Sequence, residues 1–371
     1  MSAREDDYAL VSKAAAPVAA PDLAYRPPKP RSALRGIALM GAGGISFAHL
    51  DAYRTAGFNV RAICNRTLEK ARARRDAFFP EADASDDFAA LLKRSDIDVI
   101  DITTHPAQRV AMIEAALRAG KHVLSQKPFV LDLDTGERLA DLADTNDLKL
   151  AVNQNGRWAP HFAYMREAAR AGLIGEIIGC HASVHWDHQW IRDTAFNAID
   201  DIVLFDFGIH WFDFLASLIG ARATSVVATR AHATGQDAAP PLLAQALIAF
   251  DGGQASLAFD AATRFGAEDR TYIAGTKGSL SSIGPNLGEQ TLRLTTAEGA
   301  ATPALEGSWF NDGFRGAMGE LLCAIEEGRE PLNGARGNLT SLALTFAAIA
   351  SAHRGVAVAA GSVRSLESAA R

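Results

Sequence analysis

The chain has 371 residues, of which 48% are hydrophobic and 22% charged, and its formal net charge at pH 7 is -6. A chain of this length can form two domains that bury most of their apolar surface on folding, so it needs neither disulfides nor a structural metal. The acidic balance without a basic stripe argues against nucleic-acid binding, and no apolar run approaches the roughly eighteen residues that a membrane-spanning helix requires.

The N-terminal segment, residues 1–35, is rich in proline and alanine, as in "AAAPVAAPDLAYRPPKPRSALR". It shows no amphipathic period, and proline disfavours both helix interiors and sheet ladders, so neither structure is predicted there. Two interpretations stay open for this arm. It is either a disordered leader or a polyproline-like segment that lies across a neighbouring subunit.

Short apolar runs alternate with helical stretches from residue 36 to residue 152. The predicted strands are Ile37–Met40, Val60–Cys64, Val99–Thr103, Val123–Gln126 and Leu148–Val152. The predicted helices are Ser46–Ala56, Leu68–Phe78, Phe88–Arg94, Ala107–Ala119 and Leu133–Asn146. This alternation predicts an α/β domain with a parallel sheet wrapped by helices. Such sheets bind ligands beyond the carboxyl ends of their strands, where Lys127 lies.

Residues 153–371 follow a different pattern, with one helix and then strands such as "AQALIAFDGGQASLAFDA". Their period-two alternation predicts a second, α+β domain whose antiparallel sheet has one face available for burial. The stretch Phe314–Arg354 is predicted to form two helices separated at "GREPLNGARG".

A glycine cluster follows the first strand in "GIALMGAGGISFAHL", at Gly41, Gly43 and Gly44. A tight glycine turn lets backbone N–H groups approach a pyrophosphate at a helix N-terminus. A strand precedes this turn, a helix follows it after Ile45, and a second strand ends about twenty residues later, as the dinucleotide fingerprint requires. We therefore predict nucleotide binding and not merely a structural turn.

The second predicted strand ends in "ICNRT", which places Asn65 where an acidic residue would hold the ribose hydroxyls of NAD. Without that carboxylate a 2′-phosphate is not repelled, and Arg66 can pair with it. The sequence therefore weakly favours NADP as the form of NAD(P). The alternative stays open, because asparagine can also bond a ribose hydroxyl and Arg66 can simply be solvated.

In "DFGIHWFDFL", Asp206, His210 and Asp213 stand at i, i+4 and i+7, which on a helix places them within roughly sixty degrees of one face. Phe207 and Trp211 cover the adjoining face and are expected to pack. A histidine beside a carboxylate can act as a general base, with the carboxylate fixing its tautomer. The alternative is a structural histidine; because a nucleotide site is predicted in the same chain, we predict the catalytic role.

Two further polar clusters have open interpretations. His185 shares a predicted strand face with His181 and Ser183, and this face either lines a sugar pocket or is simply solvated. It accompanies no HExxH helix and no cysteine pair, so no metal site is predicted. In "NQNGRWAPHF", Asn155 and Arg157 can bond substrate hydroxyls or serve the domain junction itself.

The three cysteines, Cys64, Cys180 and Cys323, lie far apart and include no CxxC pair. This spacing favours free, buried thiols in a reducing compartment over a disulfide framework. The N-terminus has neither a twin arginine nor an apolar signal core. We therefore expect a cytoplasmic protein.

Three motifs resemble those of the Gfo/Idh/MocA oxidoreductases, a family that includes glucose-fructose oxidoreductase and inositol dehydrogenase. "GAGGIS" looks like the cofactor loop of that family, "AALRAGKHVLSQKP" is similar to its AGKHVLxEKP signature, and "DFGIHWFD" is similar to its DxGxHxxD helix. The resemblance extends from Gly36 to the C-terminus. Gln126 replaces the usual glutamate, and Arg109 stands where the family often has histidine, which favours a subgroup similar to the apiose dehydrogenase type.

The resemblance implies a Rossmann domain with a doubly wound parallel sheet over residues 36–152. It implies that residues 153–371 form an α+β domain with a large, open, mostly antiparallel sheet used for assembly into a homodimer or homotetramer. Its activity would be NAD(P)-linked oxidation of a sugar, polyol or related hydroxyl. The predicted cofactor contacts are Gly41, Gly43, Gly44, Ile45, Asn65, Arg66, Thr103, Thr104, His105, Gln126 and Lys127. The predicted substrate contacts are Asn155, Arg157, His185, Asp206, His210 and Asp213.

By the same resemblance, Lys127, Asp206 and His210 form the catalytic group. His210 would accept the hydroxyl proton, Lys127 would stabilise alkoxide charge, and Asp206 would orient or balance the pair. Either His210 or Lys127 can be the first proton acceptor, because coupled groups titrate together. Two alternatives remain: an enzyme that recycles tightly bound NAD(P), and a ligand-sensing regulator that kept the fold without the chemistry.

Overall fold

The structure is a computed structural model that describes residues 15–370. The first part of the chain forms a six-stranded sheet and the second part a nine-stranded sheet. The helices and strands of the first part are β1 Ile37–Met40, α1 Ser46–Ala56, β2 Val60–Cys64, α2 Leu68–Phe78, β3 Asp83–Ser85, α3 Phe88–Leu92, β4 Val99–Ile102, α4 Pro106–Arg118, β5 His122–Gln126, α5 Leu133–Thr145 and β6 Leu150–Asn153.

The six-stranded sheet is parallel throughout and has the order β3-β2-β1-β4-β5-β6. This confirms the predicted doubly wound α/β sheet. Sequence analysis missed β3, which is short and has no fully buried residue. Because the strand order reverses between β1 and β4, a crevice opens outside the carboxyl ends of these two strands, where ligands of such sheets bind.

The nine-stranded sheet has the order β14-β13-β12-β11-β7-β10-β9-β8-β15, and its elements are bounded as follows. They are α6 Pro160–Arg170, β7 Ile177–His185, α7 Ile209–Ile219, β8 Ala223–Ala231, β9 Leu243–Phe250, β10 Gly253–Asp260, β11 Glu268–Gly275, β12 Gly278–Asn286, β13 Glu289–Thr296, β14 Gly299–Ala301, α8 Trp309–Glu327, α9 Ala335–Arg354, β15 Val358–Ala359 and α10 Leu366–Ala369. Neighbouring strands are antiparallel except for β7 and β10, which are parallel. This confirms the predicted mostly antiparallel sheet.

One face of the second sheet packs against helices, and the other face is open. The helices α7 and α9 contact the sheet, and β9 alternates between buried residues such as Ile248 and exposed ones such as Leu247. Val227 of β8 and Tyr272 of β11 lie in the same row of register partners as Leu247. All three of these side chains are at least 40% exposed, so the open face carries a row of large apolar groups.

The helix α8 connects the two parts of the chain. Its residues Phe314, Met318 and Leu321 belong to the same hydrophobic cluster as Leu39 of β1 and Leu50 of α1. The predicted boundary after residue 152 assigns α8 to the second domain. That boundary stays a prediction, since the first sheet completes its core with residues from far along the chain.

The described part of the N-terminal arm, residues 15–35, contains no helix or strand, and it packs on its own chain. Tyr25 is buried and meets Tyr164 edge-on at 5.8 Å, while the backbone N–H of Arg31 donates to Glu326 at 2.8 Å. These contacts show that residues 15–35 pack on their own chain, so a disordered leader does not describe this part of the arm; contact with a neighbouring subunit stays a prediction. Residues 1–14 of the predicted arm lie outside the described residues.

The three cysteines are free and buried, as their spacing predicted. Burial raises the pKa of the Cys180 thiol to about 12, so the reactive thiolate is scarce at neutral pH and we assign this residue to packing. Within residues 15–370, none of the helices combines the length and the apolar composition that crossing a membrane requires.

Candidate active site

The carboxyl ends of β1, β4 and β5 meet a cavity of about 450 Å³ whose other walls come from the second part of the chain. Residues predicted from the sequence contribute to both walls. Those that line the cavity are Ile45, Thr103, Thr104, His105, Gln126, Lys127, Asn155, Asp206 and His210. The cavity therefore brings the end of the first sheet together with the helix that carries His210.

Both the side-chain ammonium group and the backbone N–H of Lys127 are fixed by hydrogen bonds. Its Nζ lies 3.1 Å from Asp206 Oδ2 and donates to the backbone carbonyl of Asp206 at 2.8 Å. Its backbone N–H donates to Gln126 Oε1 at 2.7 Å, and the peptide bond to Pro128 is cis. Because the Lys127 and Asp206 side chains are largely buried, their pair is less screened by solvent than a surface pair.

His210 lies in the first turn of α7, directly after a π-helical turn, Val203–Phe207, that carries Asp206. Its ring meets Trp309 edge-on at 5.4 Å, and its Nδ1 has no hydrogen-bond partner among residues 15–370. Burial, and to a lesser degree the charge of Lys127, holds the pKa of His210 well below 6.5. The imidazole is therefore uncharged at neutral pH and can accept a proton.

Asp213 does not face the cavity with Asp206 and His210, although the helical spacing predicted that it would. It forms a buried ion pair with Arg157, whose Nε lies 2.6 Å from Asp213 Oδ2, and Ser341 Oγ donates to Asp213 Oδ1 at 2.8 Å. Neither Arg157 nor Asp213 lines the cavity. The physical reason is that His210 and Asp213, three positions apart on α7, point about sixty degrees apart, and Asp213 lies on the side of α7 that contacts Arg157 and Ser341.

His185 also lies away from the cavity. Its Nδ1 is 2.9 Å from Asp260 Oδ2 on the neighbouring strand β10. Successive residues of a strand point to opposite faces, and His185 belongs to the row on the open face. The opposite row continues beyond β7 into Trp186 and His188, which do line the cavity. Burial lowers the pKa of His188 to about 4, so this imidazole is also uncharged at neutral pH.

The glycine turn after β1 has the geometry that a pyrophosphate needs. Gly41 has a φ of +110°, and a Cβ there would lie 2.7 Å from Thr103 Oγ1, so only glycine fits. At Gly43 and Gly44 a Cβ would meet nothing within 4 Å, which leaves the backbone before α1 accessible. A second cleft, lined in part by Gly44 and Ile45, adjoins the main cavity. These features fit a dinucleotide.

Asn65 and Arg66, at the end of β2, have different surroundings. The Asn65 side chain accepts from the Ala42 backbone N–H at 3.0 Å and donates to the Thr67 carbonyl at 3.0 Å, so it braces the glycine turn. Arg66 is exposed, and its guanidinium makes no hydrogen bond or ion pair with residues 15–370. Of the two, only Arg66 carries a charge that can pair with a phosphate group, and its guanidinium donors are not used elsewhere.

Arg109 is a buried residue in the cavity wall, and it connects the loops that follow β4 and β5. Its Nε donates to the Thr104 carbonyl at 3.2 Å, and its NH1 donates to the carbonyls of Gln126, Pro128 and Phe129. Burial lowers the pKa of Arg109 to about 9, against the attraction of two nearby carboxylates. This arginine therefore fixes the backbone on both sides of Lys127 and has little capacity left for a ligand.

Aromatic side chains form much of the cavity wall; the sequence predicts that the loop "DHQWIRDTAFNAIDD" shapes the pocket but does not identify these side chains individually. They are Trp186, Trp190, Phe196, Phe207, Trp211, Trp309 and Phe310. Trp211 packs as the sequence predicts, with its ring 5.7 Å from Trp186 and 5.8 Å from Trp309, and it also lines the cavity. Aromatic walls of this kind bind the apolar face of a ring-shaped ligand. The density of tryptophan and phenylalanine in "HWDHQWIRDTAF" was the available signal.

Two family models match the chain. The first, described as an oxidoreductase family with an NAD-binding Rossmann fold, matches residues 35–154, and the second, a GFO/IDH/MocA C-terminal domain, matches residues 162–281. The chain is 27% identical over 326 residues to inositol 2-dehydrogenase of Rhizobium meliloti, which covers 84% of this chain and 95% of that protein. It is 28% identical over 333 residues to D-apiose dehydrogenase of Paraburkholderia graminis, and this match covers 86% of this chain and 88% of that protein.

Solved structures show the same fold. An oxidoreductase from Agrobacterium radiobacter, crystallised in complex with NAD+, L-tartaric acid and magnesium, has a TM-score of 0.79 at 22% identity. The match covers 88% of this chain and 99% of that one. Both family models name the same family and match the parts of the chain that carry the two sheets, so the chain belongs to the Gfo/Idh/MocA family of NAD-binding oxidoreductases.

Proposed function

We propose that the protein catalyses NAD(P)-linked oxidation of a hydroxyl group on a sugar, a polyol or a related compound, with Lys127, Asp206 and His210 as its catalytic group. The observation that carries this proposal is the meeting of Lys127 and His210 in one cavity beside the glycine turn, although they come from different sheets of the fold. The names of the two similar dehydrogenases, for inositol and for D-apiose, support the same class of substrate.

The residues around the cavity fit the two halves of the cofactor. Gly43 and Gly44 would hold the pyrophosphate with their backbone, and residues 103–105 together with Gln126 would border the nicotinamide half, because they line the cavity beside Lys127. When bound, the cofactor supplies the hydride acceptor. The binding of the reacting hydroxyl and the movement of its proton are left to the side chains of this chain.

Each catalytic side chain has one role in the proposed reaction. Lys127 holds a positive charge beside the reacting oxygen and stabilises the alkoxide as it forms. Asp206 fixes the direction of Nζ and balances its charge in a largely buried pair. His210 is uncharged and accepts the hydroxyl proton; the negative charge that develops on the substrate oxygen raises its proton affinity as the reaction proceeds.

A substrate screen tests the proposed function. Aldoses, polyols and sugar acids are each incubated with NAD+ and with NADP+, and the absorbance of the reduced nicotinamide is followed. We expect turnover of at least one hydroxylated ring compound, because the aromatic wall accepts the apolar face of a ring. If no compound of the panel changed the absorbance with either cofactor, the proposal would be contradicted. Nucleotide that stays bound through purification, with no need for added cofactor, would favour the recycling enzyme.

We propose a preference for NADP, and it depends on Arg66. We expect Arg66→Ala to lower kcat/KM for NADP+ by about 10- to 100-fold relative to NAD+, the effect of losing one charge-assisted hydrogen bond. Steady-state rates with both cofactors measure it. Arg61→Ala is the matched control, since it removes the same charge from the opposite, exposed end of β2. An unchanged ratio of the two kcat/KM values in Arg66→Ala would remove the role of Arg66.

Subunit association is proposed through the open face of the second sheet, giving a homodimer or homotetramer. The exposed side chains of Val227, Leu247 and Tyr272 on this face support the proposal, because large apolar groups exposed together are typical of an interaction site. The cytoplasm is proposed as the location, with support from the three free and buried cysteines.

A further inference from the structure

A series of hydrogen-bonded, buried side chains connects the interior of the first sheet with Lys127. His49 Nδ1 lies 2.7 Å from Asp101 Oδ2, and His49 Nε2 lies 3.0 Å from Gln126 Nε2. Gln126 Oε1 in turn accepts from the backbone N–H of Lys127 at 2.7 Å. His49 and Asp101 are fully buried and Gln126 is 5% exposed, so these hydrogen bonds do not compete with solvent.

The hydrogen-bond partners of His49 determine which of its ring nitrogens carries the proton. A backbone N–H can only donate, so the oxygen of the Gln126 amide faces Lys127 and its NH2 group faces His49. Asn153 Nδ2, 3.1 Å from the same nitrogen of His49, is a second donor. His49 Nε2 is therefore the acceptor and Nδ1 carries the proton, which it donates to Asp101. The cluster consists of a neutral imidazole and one carboxylate.

The carboxylate of Asp101 belongs to a balanced set of four buried or partly buried charges. Arg109 interacts electrostatically with both Asp101 and Asp206, and Lys127 pairs with Asp206. This set therefore contains two positive and two negative charges. A glutamate in place of Gln126 would add a third anion between His49 and Lys127, and a buried charge without a partner is strongly unfavourable.

We propose that Asp101 is a positioning residue for Lys127, acting through His49 and Gln126, and that a carboxylate can occupy position 101 or position 126 but not both. Asp101 holds His49 in one tautomer, His49 orients the Gln126 amide, and the amide holds the backbone of Lys127. The functional part of this inference rests on the catalytic role proposed for Lys127. It explains why a glutamine stands directly before that lysine.

A charge exchange tests the proposal with Asp101→Asn, Gln126→Glu and the double variant. We expect each single change to lower kcat by roughly 10- to 100-fold, because small displacements of a catalytic group have effects of this size. The double variant should return to within about threefold of the wild type, as coupled neighbours do in a mutant cycle. In it His49 would donate from Nε2 to the carboxylate at position 126 and accept at Nδ1 from the amide at position 101.

Tyr53→Phe is the matched structural control. The Tyr53 hydroxyl donates to the same oxygen of Asp101 at 2.7 Å, but it does not contact Gln126 or Lys127. We expect this variant to lower the melting temperature while kcat stays within about twofold of the wild type. An equal loss of kcat in Tyr53→Phe would show that the single variants act through general destabilisation and would overturn the positioning role.

Unfolding measurements on the same four proteins keep the test independent of turnover. The melting temperature should fall by on the order of 5 °C or more in each single variant and recover in the double variant. Single effects that simply multiply in kcat and add in melting temperature would overturn the proposal, as would a wild-type rate in Asp101→Asn. If the wild type oxidised no compound, the proposed function would fail, and the unfolding cycle would still decide whether the two positions exchange charge.

Discussion

Replacing Lys127 with methionine is expected to lower kcat by roughly a hundred- to ten-thousand-fold, and His210→Ala should have an effect of the same order. The methionine has nearly the length of the lysine but cannot stabilise alkoxide charge, and the alanine removes the proton acceptor. Cofactor binding should survive, because the glycine turn is untouched. Steady-state kinetics and a fluorescence titration with reduced cofactor measure the two quantities separately.

Lys149→Met is the matched control for the lysine substitution. Lys149 Nζ pairs with Glu330 at 2.7 Å and lies outside the cavity, so kcat should stay within about twofold of the wild type. Wild-type turnover in both Lys127→Met and His210→Ala would contradict the proposed mechanism, in which His210 accepts the hydroxyl proton and Lys127 stabilises the alkoxide.

The pH dependence of kcat/KM provides an independent measurement for His210. Burial and the Lys127 charge hold its pKa in the folded protein well below 6.5, so the uncharged base persists as the pH falls through 6.5 and is lost only at more acidic values. The acid limb of the profile should therefore lie below pH 6.5. In Lys127→Met one of the two causes is removed, and the limb of the residual activity should move upward. A wild-type limb above pH 6.5 would exclude His210 as the base.

Breaking the buried pair between Arg157 and Asp213 is expected to have the largest effect on stability. Arg157→Met should lower the free energy of unfolding by about 3–5 kcal/mol, because it leaves a buried carboxylate with Ser341 as its remaining side-chain hydrogen-bond partner. Urea unfolding followed by tryptophan fluorescence measures the change. The result decides between the structural role that the contacts indicate and the substrate contact that the sequence predicted.

Arg364→Met makes the same chemical change on the surface. Arg364 pairs with the exposed carboxylates of Asp134 and Glu137. The substitution should therefore lower the free energy of unfolding by less than about 1 kcal/mol. Arg157→Met, assayed well below its unfolding transition, should keep the substrate KM of the wild type. A large rise in KM at unchanged stability would instead restore Arg157 to the substrate site.

Local pattern was sufficient for much of the first sheet. The bounds predicted for β1, α1, β2 and α2 are those found, because the alternation of apolar runs and amphipathic helices depends on neighbours in sequence. The short β3 was missed, since three partly exposed residues produce no such pattern. The arm was beyond sequence reasoning for another reason: Tyr25 packs on Tyr164, far along the chain.

At the site, residue type was predicted better than direction. Asp206 and His210 line the cavity as their spacing indicated, whereas Asp213, further along α7, contacts Arg157 and Ser341, which are distant in sequence and which the spacing does not reveal. The strand before the cavity shows the same difference. Its alternation was correctly recognised, but the choice between the row of His185 and the row of His188 depends on which face of the sheet is covered.

By itself the sequence determined the family, the order of the two sheets and the chemical groups available for catalysis, because these follow from motifs and periodicities a few residues long. Only the tertiary structure decided which of those groups meet. Residues far apart in the chain form the ion pair between Lys127 and Asp206 and the aromatic wall of the cavity. They also form the buried hydrogen-bonded link from Asp101 through His49 to Gln126. Such contacts arise from the tertiary packing of strands, helices and loops that are distant in sequence, which no local pattern encodes.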